Sequence, residues 1–233
     1  RPRKNLVDFT FDKSVAQVFP DMIRRSVPGY ENLIALLGVF AGRYAQENTC
    51  IYDLGCSLGA ATLSLRRHIE SSGCRIIAVD NARAMVDRCR QNIKADPSLT
   101  PVELVCADIR NVIVENASMV TLNLTLQFLA PADRLPMLKT IYSGLVGNGV
   151  LVLSEKIEFQ EHEKQSLFAD LHHDFKRANG YSDLEISQKR QAIENVLVPD
   201  TVEQHISRIH SAGFSKVYQW FQCFNFVSYI AFK

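Results

Sequence analysis

The run Asp53-Leu54-Gly55-Cys56-Ser57-Leu58-Gly59-Ala60 constrains this 233-residue chain more than any other. It follows a β-rich stretch over residues 49–54 and leads straight into a helical pattern over 60–69. A glycine-punctuated turn between strand and helix is how an open parallel sheet offers backbone N–H groups to a ligand beyond its first strand. Glycine at 55 and 59 permits close backbone approach to that ligand. Asp53 can fix the turn or reach a ligand ammonium group through water. Ser57 stands where another glycine is common and adds a hydroxyl. Gly55, Cys56 and Ser57 are therefore candidate ligand-binding residues.

The rest of the chain repeats this alternation. Short β-rich runs recur at 75–80, 102–106, 118–123 and 149–154, the last preceded by the turn signal Gly147-Asn148-Gly149. Between them, 60–69, 82–93 and 132–145 carry apolar residues at three- and four-residue intervals. Such alternation predicts an α/β fold in which parallel strands are joined by helical crossovers covering both sheet faces. Near the end, β-rich runs at 217–222 and 226–232 are separated only by Cys223-Phe224-Asn225. A connection that short makes an antiparallel hairpin. The expected fold is one Rossmann-like α/β domain over 1–233, its seven-stranded sheet mostly parallel and closed by that hairpin. Two segments fall outside this pattern, an N-terminal stretch over 1–43 and a helical insertion over 155–212, and both are expected to act as lids.

Composition narrows the function. Lys and Arg total 26 against 25 for Asp and Glu, so no global field exists to hold a polyanion, and direct nucleic-acid binding is not expected. No apolar run approaches the ~20 residues a membrane span needs. The six cysteines form no C-x-x-C pair, which argues against a zinc site and against a disulfide framework. They read as small buried hydrophobes of a reducing, cytoplasmic compartment, and no metal is expected.

Acidic residues close the second and third strands. Asp80-Asn81 lies about twenty residues past Gly59, where a carboxylate accepts both ribose hydroxyls of a nucleoside and disfavours a phosphorylated ribose. The loop has no P-loop lysine for a triphosphate. Ala107-Asp108-Ile109-Arg110 follows the third strand, where Asp108 can take an adenine amine and Ile109 can offer its backbone amide. Asn123 ends the fourth strand and faces the reactive end of such a ligand. A parallel sheet closed by an antiparallel terminal strand points by analogy to S-adenosylmethionine rather than NAD. In the insertion, His172-His173-Asp174 reads as structural, because neighbouring helix residues point about 100° apart. Lys176-Arg177 and Lys189-Arg190 read as solvated charges or helix salt bridges, with Arg190 set apart by the resemblance given below.

Beyond these motifs the sequence resembles the carboxy-S-adenosylmethionine synthase family, within the S-adenosylmethionine-dependent methyltransferase-like superfamily. The resemblance covers nearly the whole chain. It is carried by Val18-Phe19-Pro20-Asp21-Met22-Ile23, Ser26-Val27-Pro28-Gly29-Tyr30, the Asp53 loop, Glu115-Asn116-Ala117-Ser118-Met119-Val120, Leu126-Gln127-Phe128-Leu129, residues 172–181 and residues 220–226.

The resemblance implies conversion of S-adenosylmethionine and prephenate to carboxy-S-adenosylmethionine and phenylpyruvate, for tRNA wobble-uridine modification. The sulfonium methyl is implied to lose a proton and capture carbon dioxide released as prephenate aromatises. It further implies that Tyr30, Gly55, Ser57, Asp80, Asn81, Asp108, Ile109, Asn123 and Arg190 contact the cofactor. Tyr30 and Arg190 would hold the added carboxylate, and Arg190 would reach a neighbouring subunit of a homodimer. An Arg fork suits a carboxylate and has no use beside an ordinary methyl donor. Prephenate is expected under the insertion, near Arg190 and either Lys156 or Arg177. Two other readings share the same adenosine pocket: a conventional methyltransferase, and a cofactor-binding module without catalysis.

Overall fold

The structure is a computed structural model that describes residues 13–182 and 197–233. Its strands are β1 Cys50–Leu54, β2 Arg75–Asp80, β3 Val102–Cys106, β4 Ala117–Asn123, β5 Leu145–Lys156, β6 Lys216–Cys223 and β7 Phe226–Phe232. They form one seven-stranded sheet in the order β3-β2-β1-β4-β5-β7-β6. The first five are parallel, and β7 runs antiparallel to both β5 and β6. The hairpin turns at Phe224-Asn225, with Cys223 opposite Phe226.

Strands buried on both faces read as nearly continuous apolar runs, which is why the sequence places them so closely. Alternate residues serve opposite faces. Ile51, Ile76, Ala78, Met119 and Val152 pack under α2 (Tyr30–Tyr44) and α3 (Ala60–His68), against Leu33, Leu37, Ala41 and Leu65. Tyr52, Val120, Leu122, Leu151 and Leu153 pack on the other face beneath α5 (Pro131–Gly144), against Met137, Leu138 and Ile141. α4 (Arg83–Ala95) follows β2 and contributes Cys89 to the first of these layers. Four cysteines, Cys50, Cys56, Cys74 and Cys89, are buried, and all six are free thiols.

The two expected lids divide. In the N-terminal stretch, α1 (Lys13–Ser26) lies outside the sheet layers, whereas α2 belongs to the core through Leu33, Leu37 and Ala41. In the insertion, α6 (His162–Ala178) stands outside, but the last helix, here α7 (Val202–Ala212), buries Ile209 and Ala212 beside α5. Its start is fixed by a capping box in which Thr201 and Gln204 satisfy each other's backbone N–H groups. Its apolar stripe is too narrow to distinguish a sheet-covering helix from a lid by sequence. The Gly147-Asn148-Gly149 signal marks a bulge inside β5, where the partner of Ala117 is Leu145 and that of Met119 is Val150.

α1 is fastened to α6 at several points. His172 meets the Ser26 carbonyl at 2.7 Å, Arg25 donates to the Asn179 carbonyl at 2.6 Å, and the Arg25 guanidinium lies 4.2 Å from the Tyr181 ring centroid. Gly180, at φ +83°, lets the chain turn out of α6 so that Tyr181 can reach back to α1. No helix among the described residues is long and apolar enough to cross a membrane.

Candidate active site

A cavity of about 760 Å³ opens at the carboxyl ends of the parallel strands. It lies at the crevice where β1 and β4 diverge in chain order, the place at which open α/β sheets bind ligands. Tyr30, Gly55, Cys56, Ser57, Asp80, Asn81, Asp108, Ile109 and Asn123 all line it. Nine sequence-predicted residues, drawn from five separate elements and loops, thus converge on one space. Arg190, expected beside them, lies outside the described residues.

The acidic half is organised by backbone. Asp80 accepts the Ser57 N–H and the Ala82 N–H, each at 2.9 Å, so one carboxylate pins both loops that flank the cavity. Burial raises its pKa, against the pull of those two donors. Asp108 caps the turn Ile109–Asn111 by accepting the Arg110 N–H at 2.9 Å. The Arg110 guanidinium also bonds Asp108, which lowers the Asp108 pKa, and it reaches Asp133 at 2.7 Å. Asn123 presents a buried Oδ1 that no group in the described structure satisfies.

The Cβ side of each loop glycine is filled by protein. A Cβ on Gly55 would fall on the Thr125 side chain, and one on Gly59 would fall 2.6 Å from the Cys89 sulfur. Both have φ near +87°, so each lets the chain turn sharply while another part of the protein closes on its Cβ side. Ser57 adopts φ +51°, the region a glycine enters without strain, and its N–H is held by Asp80. Cys56 turns its thiol into the core beside Cys89, leaving its backbone at the cavity.

Beneath the loop, Asp53 is fully buried, with Oδ2 accepting the Thr62 hydroxyl at 2.5 Å and Oδ1 without a partner among the described residues. Burial lifts its pKa to about 6, with Thr62 opposing. The Tyr30 phenol is raised by burial first and by Asp53 second, and stays neutral.

The far side of the cavity belongs to β5 and α6. Lys156, His172 and Lys176 line it. Arg177, expected as a candidate for the substrate, does not; it pairs with Asp174 at 2.9 Å on the exposed face of α6. Lys176, read as a solvated charge or a helix salt bridge, is buried rather than solvated. His172 is structural as expected, its Nε2–H donating to Ser26, and burial followed by the Lys176 charge lowers its pKa to about 3.

The comparisons with known proteins agree with this geometry. A family described as a methyltransferase domain matches residues 51–149, the stretch that carries the Asp53 loop and strands β2 to β4. The carboxy-S-adenosyl-L-methionine synthase of Shewanella sediminis is 60% identical over 99% of this chain and 95% of its own. That of Vibrio cholerae is 59% identical over all of this chain and 94% of its own. The chain belongs to the carboxy-S-adenosyl-L-methionine synthase family. Similarity to this family runs through α1 and α6, beyond the shared domain. Among solved structures, a putative S-adenosyl-L-methionine-dependent methyltransferase from Methanococcus maripaludis superposes with a TM-score of 0.61 at 19% identity, covering 99% of this chain and 96% of its own. Human N-acetylserotonin methyltransferase in complex with SAM gives 0.65 at 14% identity, covering all of this chain and 60% of its own. At those identities the likeness is one of fold.

Two features of this synthase-family site escape a reading by motif. Glu155, fully buried, accepts the Leu126 N–H and the Gln127 N–H through its two oxygens, each at 2.9 Å. Burial pushes its pKa up to about 8 against those donors. Gln127 in turn accepts the Lys156 N–H at 2.9 Å, so the β4–α5 loop and the end of β5 are locked together at the cavity wall. The only sequence signal was the acid in Ser154-Glu155-Lys156, at the end of an apolar run.

Proposed function

We propose that the protein converts S-adenosylmethionine and prephenate to carboxy-S-adenosylmethionine and phenylpyruvate. The observation that carries this reading is identity of 60% over almost the whole chain to a carboxy-S-adenosyl-L-methionine synthase, including the segments that roof the cavity. In the balanced reaction one carboxyl carbon leaves prephenate and joins the sulfonium methyl carbon. One methyl proton and the ring hydroxyl depart together as water as the ring becomes aromatic. Bound S-adenosylmethionine supplies the acidified methyl.

The residues fit that cofactor. Asp80 keeps acceptor capacity for ribose hydroxyls while holding Ser57 and Ala82, since each carboxylate oxygen has a second lone pair. Asp108, kept ionised by Arg110, is an acceptor for an adenine amine, with the Ile109 N–H beside it. Asn123 Oδ1, buried and unpartnered, is suited to the methionyl ammonium or the reacting centre. Tyr30, neutral and donating, would join Arg190 in holding the new carboxylate. In this reading the enzyme is a cytoplasmic homodimer whose Arg190 serves the neighbouring site. Its product feeds tRNA wobble-uridine modification without direct nucleic-acid binding.

The test is mass spectrometry of the reaction of purified protein with S-adenosylmethionine and prephenate. A product heavier than S-adenosylmethionine by one carbon dioxide, formed together with phenylpyruvate, is expected. Methyl transfer without prephenate consumption would replace this reading with a conventional methyltransferase.

A further inference from the structure

Gln127 lines the cavity yet is only 5% exposed, so each of its polar groups needs a partner. All but one have one. The backbone N–H donates to Glu155 at 2.9 Å, and the carbonyl accepts from the Val198 N–H and from Arg134 Nη2, each at 3.2 Å. The side-chain oxygen Oε1 accepts the Lys156 N–H at 2.9 Å. That last bond fixes the orientation of the amide. A backbone N–H cannot face an NH2 group, so the oxygen stands against β5 and the nitrogen turns away from it. Nε2 is left with N–H donors and no partner among the described residues.

The chain is bent to place this amide. Leu124, at φ +58°, leaves β4 in a conformation that L side chains rarely adopt, while its N–H still bonds the Ser154 carbonyl at 2.7 Å. The turn Leu126–Phe128 follows, with the N–H groups of Leu126 and Gln127 held by the Glu155 carboxyl. Asn123 and Gln127 thus stand together at the β4 end of the cavity, one with an unused buried acceptor and the other with an unused donor.

Strand order decides what meets the donor. In the sequence β3-β2-β1-β4-β5, Asp108 follows β3 and Asp80 ends β2, both across β1 from Gln127. An adenosine seated on those acids keeps its base and ribose oxygens away from the β4–β5 end. Beyond the nucleoside, S-adenosylmethionine carries a sulfonium, an ammonium and a carboxylate, and only the carboxylate accepts a hydrogen bond. The second acid of the synthase reading offers carboxylates as well, and an ionised acceptor makes the stronger bond.

We propose that Gln127 is a substrate-binding residue whose Nε2–H donates to a carboxylate oxygen at the β4–β5 end of the cavity. That oxygen belongs either to the methionyl group of S-adenosylmethionine or to the second acid. The inference deepens the synthase reading and rests on it only for the second of these.

Two substitutions separate this role from a structural one. Gln127→Glu keeps an acceptor for the Lys156 N–H and sets an anionic oxygen where the donor was; Gln127→Met removes both. Each variant is checked for folding by its thermal transition. In one arm, calorimetry measures the binding of S-adenosylmethionine and of 5′-methylthioadenosine, which lacks the methionyl carboxylate. In the other, protein saturated with S-adenosylhomocysteine, which has no methyl to react, is titrated with prephenate.

The carboxylate ligand should bind about 10- to 100-fold more weakly to the Met variant, and at least as weakly to the Glu variant, where like charges meet. Binding of 5′-methylthioadenosine should stay within about threefold of wild type. A loss in either arm with 5′-methylthioadenosine unmoved supports the proposal, and the arm that moves names the carboxylate. Unchanged affinity for both acids in the folded variants overturns it, as does an equal loss of 5′-methylthioadenosine, the mark of a collapsed loop. A Glu variant that binds like wild type while the Met variant is weak also overturns it, because an acceptor for Lys156 would then be the whole role. Should one variant fail to fold, the other decides by the same criteria. Prephenate that does not bind even to wild type would sink the synthase reading and leave the first arm to judge Gln127.

Discussion

Arg134 and Asp200 form an ion pair between α5 and the approach to α7, with side chains only 1% and 8% exposed. The same guanidinium donates to the carbonyls of Leu129 at 3.1 Å, Gln127 at 3.2 Å and Val198 at 2.8 Å. One side chain therefore ties the loop after β4, which lines the cavity, to the chain that re-enters the core before α7. Arg134→Met would leave Asp200 with Arg208 and strip the Leu129 and Val198 carbonyls of this donor, while the Gln127 carbonyl keeps the Val198 N–H, a loss of about 3–5 kcal/mol. Urea unfolding measures it. Arg134→Lys, a point charge without the fork, should recover less than half. A loss under about 1 kcal/mol for the Met variant would mean water replaces the network.

Asp53 gives the fold a pH dependence. Its folded pKa of about 6 lies above the ~3.9 of an unfolded aspartate, so the folded state resists its ionisation. The penalty is absent below about pH 4, grows as pH rises to about 6, and is constant above, at about 3 kcal/mol. Asp53→Asn keeps an acceptor for Thr62 and removes the ionisation. Its stability should exceed wild type at pH 8 and the two should converge near pH 4. Parallel urea midpoints across that range would show that Asp53 titrates normally.

The loop glycine and serine make opposite predictions. Gly55→Ala must place a methyl on the Thr125 side chain at φ +87°, combining overpacking with backbone strain. A loss of about 2–4 kcal/mol is expected, and trimming Thr125 to Gly, which removes every side-chain atom in the way, should leave the backbone part of it. Ser57→Gly relieves a left-handed residue and should be neutral or stabilising by up to ~1 kcal/mol. Thermal transitions of the three variants decide it.

Asn123 separates binding from stability. A buried acceptor without a partner costs the empty protein roughly 1–3 kcal/mol. Asn123→Ala should leave the ligand-free transition temperature unchanged or higher, yet weaken S-adenosylmethionine about tenfold by calorimetry. A fall in stability with unaltered affinity would place Asn123 among structural residues.

Glu155 holds two N–H donors that an amide cannot match. Gln at 155 must turn its NH2 toward either Leu126 or Gln127, donor against donor. A loss of roughly 1–3 kcal/mol in urea unfolding is expected. Because Glu155 holds the Gln127 backbone, Glu155→Gln should also weaken, by calorimetry, the carboxylate ligand that Gln127 binds.

How far the sequence reached is clearest at its own motifs. The strands at 75–80, 102–106 and 226–232 coincide with β2, β3 and β7 because each is a short β-rich run bounded by turn residues, largely buried in β2 and β7 and half-buried at the sheet edge in β3. Asp80 and Asp108 were legible because a polar residue ending such a run has little other reason to be there. The glycines were legible as necessary, but what fills their Cβ side was not: only the packed structure places Thr125 and Cys89 where their side chains would go.

By itself the sequence determined the element types, the antiparallel ending and the acids that face the cavity. All follow from local periodicity and from turn chemistry spanning a few residues. Tertiary structure alone decided that α2 and α7 are core layers, that Glu155 and Arg134 hold the cavity wall, and that Lys176 faces inward while Arg177 faces solvent. Adjacent residues on a helix differ by about 100°, and both are basic here, so their sequence cannot say which one points at the site. The docking of α6 against α1 through His172 and Ser26 sets that rotation, and it joins residues 146 positions apart.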